Sequence, residues 1–140
     1  MFNPTREQAR QFLFETWRKQ CAGELLTPLE DLTAKQIIRH PEYHKLLADA
    51  ELNQDKDFPL EIHAVNPFLH LMMHLTIEEQ LSIGQPSGIR EQFVRLTKKY
   101  QSEHEAHHVI MDCLSEMMWH AQRNKTLPDA AIYFACLEKQ

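Results

Sequence analysis

The stretch Asn66-Pro-Phe-Leu-His-Leu-Met-Met-His-Leu-Thr-Ile-Glu-Glu-Gln-Leu81 decides the fold, because it joins a clear helix start to a long apolar run. Asparagine is a favoured N-cap and proline suits the first helical position, so the stretch predicts a helix that begins at Pro67. From Pro67 to Leu75 the only polar side chains are His70 and His74. At about 100° per residue the two imidazoles share one apolar stripe, and we expect both to point into the core.

Length and composition are typical of one globular domain. The chain has 140 residues, 43% of them hydrophobic, which suits a single core and predicts one domain over residues 1–140. The net charge is −5 with histidine neutral, and lysine and arginine are scattered along the chain. Nucleic acid is therefore not an expected partner.

The N-terminal residues, the apolar runs and the cysteines indicate where the protein is located. The N-terminal residues lack a signal-peptide pattern, and no window approaches the roughly 18 apolar residues of a membrane helix, so no membrane association is expected. The three cysteines, Cys21, Cys113 and Cys136, are odd in number, widely spaced and form no Cys-x-x-Cys pair. This usage predicts reduced thiols in a cytoplasmic protein.

Capping residues and helical periodicity recur along the rest of the chain. Polar residues from Asp49 to Val65 show no clear period and predict a long surface loop. The other segments predict a first helix from about Pro4 to Ala22, helices opening at Pro28 and Pro41, one beginning after the Gly84–Gly88 turn, a long one from about Glu103 to Arg123, and a last one from Pro128. Helix after helix with short connections predicts an all-α, single-domain helical bundle of about six to seven helices.

Nine histidines include three pairs spaced four residues apart. These pairs are His40/His44, His70/His74 and His104/His108. Residues at this spacing on a helix have β-carbons about 5–6 Å apart, so two imidazoles can bind one metal ion. The first pair is the weakest prediction, because Pro41 places His40 outside the helix that holds His44.

The third pair lies on the more polar side of its helix, together with Trp119. A large ring is normally covered, so we expect part of that face to be buried. If this face packs against the stripe that carries His70 and His74, four imidazoles converge as in metal-binding bundles. The candidate carboxylates are Glu78, Glu105, Asp112 and Glu116. The sequence therefore predicts zinc or iron held by His70, His74, His104 and His108.

Two known catalytic motifs overlap the His104/His108 pair, but the rest of the sequence does not support either one. His104-Glu105-Ala-His-His108 matches the zinc-peptidase pattern His-Glu-x-x-His, but the extended form needs glycine and histidine where this chain has Met111 and Leu114. A single Glu-x-x-His copy is weak evidence for a di-iron site, since those bundles carry two copies. No reaction, substrate or catalytic residue follows from the sequence.

Several short motifs together resemble an uncharacterised bacterial family, domain-of-unknown-function family 1841. They are Trp17-Arg-Lys19, His40-Pro-Glu-Tyr-His44, Asn66-Pro-Phe-Leu-His70 with His74, Glu79-Gln80, Pro86-Ser-Gly-Ile89, His104 with His108, and Trp119-His-Ala-Gln-Arg123. The resemblance implies a small bacterial helical protein and supplies no activity, substrate or cofactor.

Two functional hypotheses follow. The first is a metal-binding bundle, either a metal-dependent enzyme or a metal sensor, built on the four histidines above. The second is a non-catalytic helical interaction module in which the histidines satisfy one another and nearby acids. In that case Trp119, Phe68 and Met72 would contribute to a partner surface, and a homodimer is expected.

Overall fold

The elements of the fold begin and end at residues that cap helices. The computed structural model describes residues 5–58 and 66–140. Within these ranges the chain forms eight α-helices, a 3-10 turn at Pro41–Tyr43, and no strand. The helices are α1 (Arg6–Ala22), α2 (Pro28–Ile38), α3 (His44–Ala48), α4 (Ala50–Asn53), α5 (Pro67–Ile83), α6 (Ile89–Tyr100), α7 (Glu103–Asn124) and α8 (Ala130–Glu138). The predicted all-α class is confirmed.

The first helix starts slightly later than predicted. Thr5 is its N-cap and forms a capping box with Gln8, each side chain bonding to the backbone N–H of the other. The predicted first residue, Pro4, lies outside the described residues. The helix ends as predicted, because Gly23 adopts the left-handed conformation (φ 71°) that terminates a helix at low cost.

The caps that matter most for the site are those of α2 and α5. Thr27 and Glu30 form a capping box at the start of α2. The Asn66 side-chain oxygen accepts hydrogen bonds from the backbone N–H groups of Phe68 and Leu69, at 3.1 and 3.2 Å. Helix α5 therefore begins at Pro67 as predicted, which fixes the positions of the histidines in its first turns.

The described helices fall into two compact units, Met1–Leu75 and Thr76–Gln140, with the boundary inside α5. We call them the N-terminal and C-terminal units and describe each by itself. The expectation of one domain over residues 1–140 stays a prediction. No helix in the described parts of the chain is both long and apolar enough to cross a membrane.

The core of the N-terminal unit is apolar and aromatic. Its buried members are Leu13, Phe14, Ile37, Leu47, Phe68 and Leu71. Arg10, only 2% exposed, lies against this core with its guanidinium carbon 4.3 Å from the centroid of the Phe68 ring. One of its terminal nitrogens donates to the backbone carbonyls of Asn53, Gln54 and Lys56. The buried arginine of α1 therefore hydrogen-bonds to the backbone at the end of α4 and just after it.

The predicted loop from Asp49 to Val65 is wrong in its first part. Residues 50–53 form α4, because the Asp49 carboxylate accepts a hydrogen bond from the Leu52 backbone N–H and so caps a helical turn. Asn53 is buried and donates to the carbonyl of Leu46, whereas its neighbours Glu51 and Leu52 are exposed, as expected of a surface segment. Residues 59–65 lie outside the described residues.

In the C-terminal unit, α7 contacts both α6 and α8. Helix α8 begins at Ala130 rather than at Pro128, because the Asp129 carboxylate accepts from the Ala131 N–H and acts as its N-cap. The Tyr133 hydroxyl donates to the side-chain oxygen of Gln80 at 2.7 Å. Burial raises the pKa of this phenol, so it stays protonated and can donate.

The cysteine prediction is wrong for two of the three residues. Cys113 of α7 and Cys136 of α8 form a disulfide, with their α-carbons 5.5 Å apart. The two are separated by 23 positions in the sequence. They become neighbours because the connection at 125–129 returns α8 against α7. Cys21 is an exposed free thiol, as expected.

Candidate metal centre

Three histidines of the N-terminal unit meet in its interior. His70 and His74 lie one helical turn apart on α5, and His40 lies between α2 and the 3-10 turn. The Nε2 atom of His70 is 3.1 Å from the Nε2 of His40 and 3.1 Å from the Nε2 of His74. All three side chains are buried, and their ligand nitrogens lie within 4.8 Å of one another. The sequence predicted the inward orientation of the α5 pair, and the structure adds His40.

The orientation of His40 is set by its backbone and by Gln36. A residue before proline is disfavoured in the helical conformation, and His40 has φ −124° and ψ 67°, which ends the helical path. Its Nδ1 lies 2.6 Å from the Gln36 backbone carbonyl. A carbonyl can only accept, so Nδ1 carries the hydrogen and donates it. In a neutral ring, Nε2 then presents its lone pair to His70.

His44, the predicted partner of His40, takes a different position. Its Nε2 lies 2.8 Å from the carbonyl of Ile37, and its ring lies 4.4 Å from the Trp17 ring between centroids. The pair is therefore split, and only His40 approaches the α5 histidines. The position of Pro41 correctly predicted that His40 and His44 do not chelate one ion together. It does not prevent His40 from approaching His70 and His74 on α5.

Tyr43 forms one wall of the cluster. Its ring is parallel to that of His40, with 5.3 Å between centroids and 2° between planes, and it meets the His70 ring edge-on at 5.9 Å. Burial, with a smaller contribution from the charge of Glu42, raises the pKa of the Tyr43 phenol. The wall is therefore an uncharged aromatic surface, which holds the imidazole planes in place.

The other predicted ligands, His104 and His108, lie in the C-terminal unit, on α7. Their rings meet edge-on with centroids 4.3 Å apart, and both side chains are half-buried. Glu105 between them is exposed, and its backbone N–H donates to the Ser102 hydroxyl at the helix start. That these two histidines share an ion with His70 and His74 stays a prediction.

The candidate carboxylates have other contacts in the C-terminal unit. Glu78 lies 2.9 Å from the Nε2 of His107, which is buried and meets the Phe93 ring edge-on at 5.7 Å. Glu116 lies 4.0 Å from His120, one turn further along α7. The buried pair of His107 with Glu78 was not foreseen, because neither motif analysis nor pair spacing singles out His107.

The face of α7 that carries the third histidine pair is half-buried at His104 and His108, as expected, but the Trp119 ring on which that expectation rested is exposed. Its side chain is 51% exposed and contacts residues of its own helix. The Arg123 guanidinium carbon lies 5.0 Å from the ring centroid, and the His120 ring meets it edge-on. A flat arginine and an adjacent imidazole cover one part of the indole, which lets a large ring remain near solvent.

Comparison with models of protein families gives a match over most of the chain. A family model described as "Domain of unknown function (DUF1841)" matches residues 5–139, which confirms the resemblance inferred from the short motifs. No curated protein and no solved structure matches the chain.

Proposed function

Since the chain belongs to the DUF1841 family, a domain of unknown function, we propose a function from its own geometry: it binds one transition-metal ion, zinc or iron. We propose His40, His70 and His74, which meet in the N-terminal unit, as ligands. This set keeps His70 and His74 of the four histidines expected from the sequence and adds His40. We propose binding alone and assign no reaction.

The observation that carries the proposal is the pair of 3.1 Å contacts made by one nitrogen, the Nε2 of His70. In the ring plane an imidazole nitrogen holds either one hydrogen or one lone pair. With neutral rings, a single hydrogen on His70 would have to serve both contacts. Every other arrangement brings two lone pairs or two N–H groups together, because the lone pair of His40 is fixed by Gln36. A cation bound by the lone pairs removes this conflict.

The distances suit such an ion. Zinc–nitrogen bonds of about 2.0–2.1 Å at tetrahedral angles place two ligand nitrogens roughly 3.3 Å apart. The observed separations of 3.1 Å are therefore close to the spacing of two ligands on one ion. An imidazolium at His40 could also donate to His70, but this requires a buried positive charge.

The surroundings of His40 also resemble those of a ligand. Metal-binding histidines almost always donate their second ring N–H to a carbonyl or carboxylate, which fixes the tautomer and the ring plane. The hydrogen bond from His40 Nδ1 to the Gln36 carbonyl does this. Imidazole nitrogen is a good donor to both zinc and iron, so the ligand type supports either metal.

Elemental analysis of the untagged full chain tests the proposal. We expect close to one equivalent of zinc or iron, and a loss of most of it in His70→Ala. His44→Gln is the matched control, because His44 lies in the same segment but bonds to the Ile37 carbonyl. Less than about a tenth of an equivalent in the wild type, after reconstitution with either metal, would overturn the proposal.

A second proposal is a helical interaction module that forms a homodimer. The exposed Trp119 and Met118 near the end of α7 favour it, whereas Phe68, at 4% exposure, lies in the core and is unsuited to a surface role. Light scattering tests it: a dimer in the wild type that dissociates in Trp119→Ala would support the module. We also propose a bacterial setting, which the family resemblance implies, and a cytoplasmic one, for which the Cys113–Cys136 disulfide removes the argument from cysteine usage.

A further inference from the structure

The disulfide between α7 and α8 suggests a role separate from metal binding. We propose that Cys113 and Cys136 are a reversible thiol–disulfide couple, closed by low-molecular-weight disulfides and opened by the corresponding thiols, that clamps α8 onto α7. The proposal depends only on residues of the C-terminal unit and does not need a bound metal.

The two cysteine residues differ in exposure. Cys113 is fully buried, on the face of α7 that also carries the buried Ile110 and Met117. Cys136 is half-buried, with the side-chain nitrogen of Gln140 4.0 Å from its sulfur. Thiol–disulfide exchange requires direct access of the attacking sulfur to its target. The exchange therefore begins at Cys136, and Cys113 acts as the resolving thiol.

The closing reaction balances in two steps. The Cys136 thiolate attacks one sulfur of a small disulfide such as oxidised glutathione, forms a mixed disulfide and expels one small thiolate. The Cys113 thiolate then attacks the Cys136 sulfur, forms the internal bond and expels the second thiolate. Two electrons pass from the cysteines to the small disulfide, and the two protons of the cysteine thiols end on the two small thiols. Opening is the reverse reaction.

Helix α8 depends on its attachments for its order. It has nine residues, fewer than the roughly 12–15 that an isolated helix needs to be even marginally stable in water. The connection at 125–129 is exposed along its whole length, so it does not hold the helix. The covalent bond at Cys136 therefore adds to the packing that holds α8 against α7.

Non-covalent contacts remain when the bond opens. Tyr133 and Leu137 are buried, and the Tyr133 hydroxyl donates to Gln80. Arg95 of α6 donates to the Leu137 carbonyl at 2.8 Å. Reduction is therefore expected to loosen α8 without unfolding the unit, which is the behaviour of a clamp.

Labelling of the full chain tests whether the couple is reversible. Cys21→Ser removes the exposed third thiol, so that only the pair can react. The protein is equilibrated in buffers of increasing reduced-to-oxidised glutathione ratio and quenched with N-ethylmaleimide. Mass spectrometry of the intact protein then counts the labels. We expect a transition from no label to two labels across the buffer series. Two labels at every ratio, or none even in excess dithiothreitol under native conditions, would each overturn the proposal.

Hydrogen–deuterium exchange tests the clamp itself. We expect the amides of α8 to exchange faster after reduction, while those of α1 are unchanged. The melting temperature should fall by roughly 10 °C, as expected from closing a loop of this length in a chain of this size. Cys136→Ser, which alters only the half-buried sulfur, should behave like the reduced protein in both buffers. Equal exchange of α8 in the oxidised and reduced proteins would contradict the clamp.

Discussion

Replacing His40 and His74 with alanine, singly and together, tests whether one ion joins them. The two histidines lie on different elements, His40 after α2 and His74 on α5, and His70 lies between them in the chain of 3.1 Å contacts. A shared ion couples them because loss of either ligand removes the same bound metal. Separate hydrogen bonds would couple them far less.

A shared ion and separate hydrogen bonds predict different coupling energies between His40 and His74. A metal present at a hundredfold above its dissociation constant adds about 2.7 kcal/mol to the free energy of unfolding. Each single variant loses this contribution, and the double variant cannot lose it twice, so a coupling energy of about 2.7 kcal/mol is expected with metal. A typical hydrogen bond contributes only about 1 kcal/mol, which limits the coupling without metal.

Urea unfolding of the wild type, both single variants and the double variant measures this coupling. Each protein is unfolded with zinc and again with a chelator, so that packing lost by the alanine substitutions cancels in the comparison. His44→Gln should retain the full chelator-dependent loss, since its ring bonds to a backbone carbonyl outside the cluster. Equal coupling energies with and without chelator would refute the shared ion.

Three further substitutions test the structure that supports the site. Arg10→Met keeps most of the aliphatic side chain but removes the hydrogen bonds to three carbonyls. It should lower the free energy of unfolding in urea by about 3 kcal/mol. Asn66→Ala removes the cap of α5 and should cost about 1 kcal/mol in the same assay. The pKa of Glu30 is lowered, first by the backbone N–H of Thr27 and then by Lys19. A lowered folded-state pKa gives stability that is present above the ordinary carboxyl pKa and lost as pH falls, so Glu30→Gln should weaken the acid dependence of unfolding between pH 7 and 3.

The sequence predicted those features of the fold that depend on a few neighbouring residues. The predicted starts at Pro28, Pro67 and Glu103 and the predicted end at Ala22 are all observed, because Thr27, Asn66, Ser102 and Gly23 cap these helices through local hydrogen bonds or backbone conformation. The inward orientation of the α5 histidines is likewise a matter of helical period. Such features need no knowledge of which helices touch.

Features that depend on distant contacts were missed. The disulfide joins Cys113 to a cysteine on the next helix, and neither residue type nor spacing identifies the pairing before the turn between the helices is known. Trp119 was expected to be covered because large rings usually are, but a nearby arginine stacks on its ring and leaves the rest exposed. Only the disulfide depends on tertiary structure, because Arg123 lies four residues after Trp119 on α7 and its contact with the ring could have been inferred from helical spacing.

The position of His40 shows how a residue that disrupts one pattern can create another. Pro41 keeps His40 out of the helical conformation, which separates it from His44 and removes the i, i+4 geometry. The same backbone position lets the His40 ring reach back four residues to the Gln36 carbonyl. That hydrogen bond commits Nδ1 as the donor and leaves Nε2 to face His70. The proline that weakened the pair as a chelator is therefore the reason that His40 presents a lone pair to the α5 histidines.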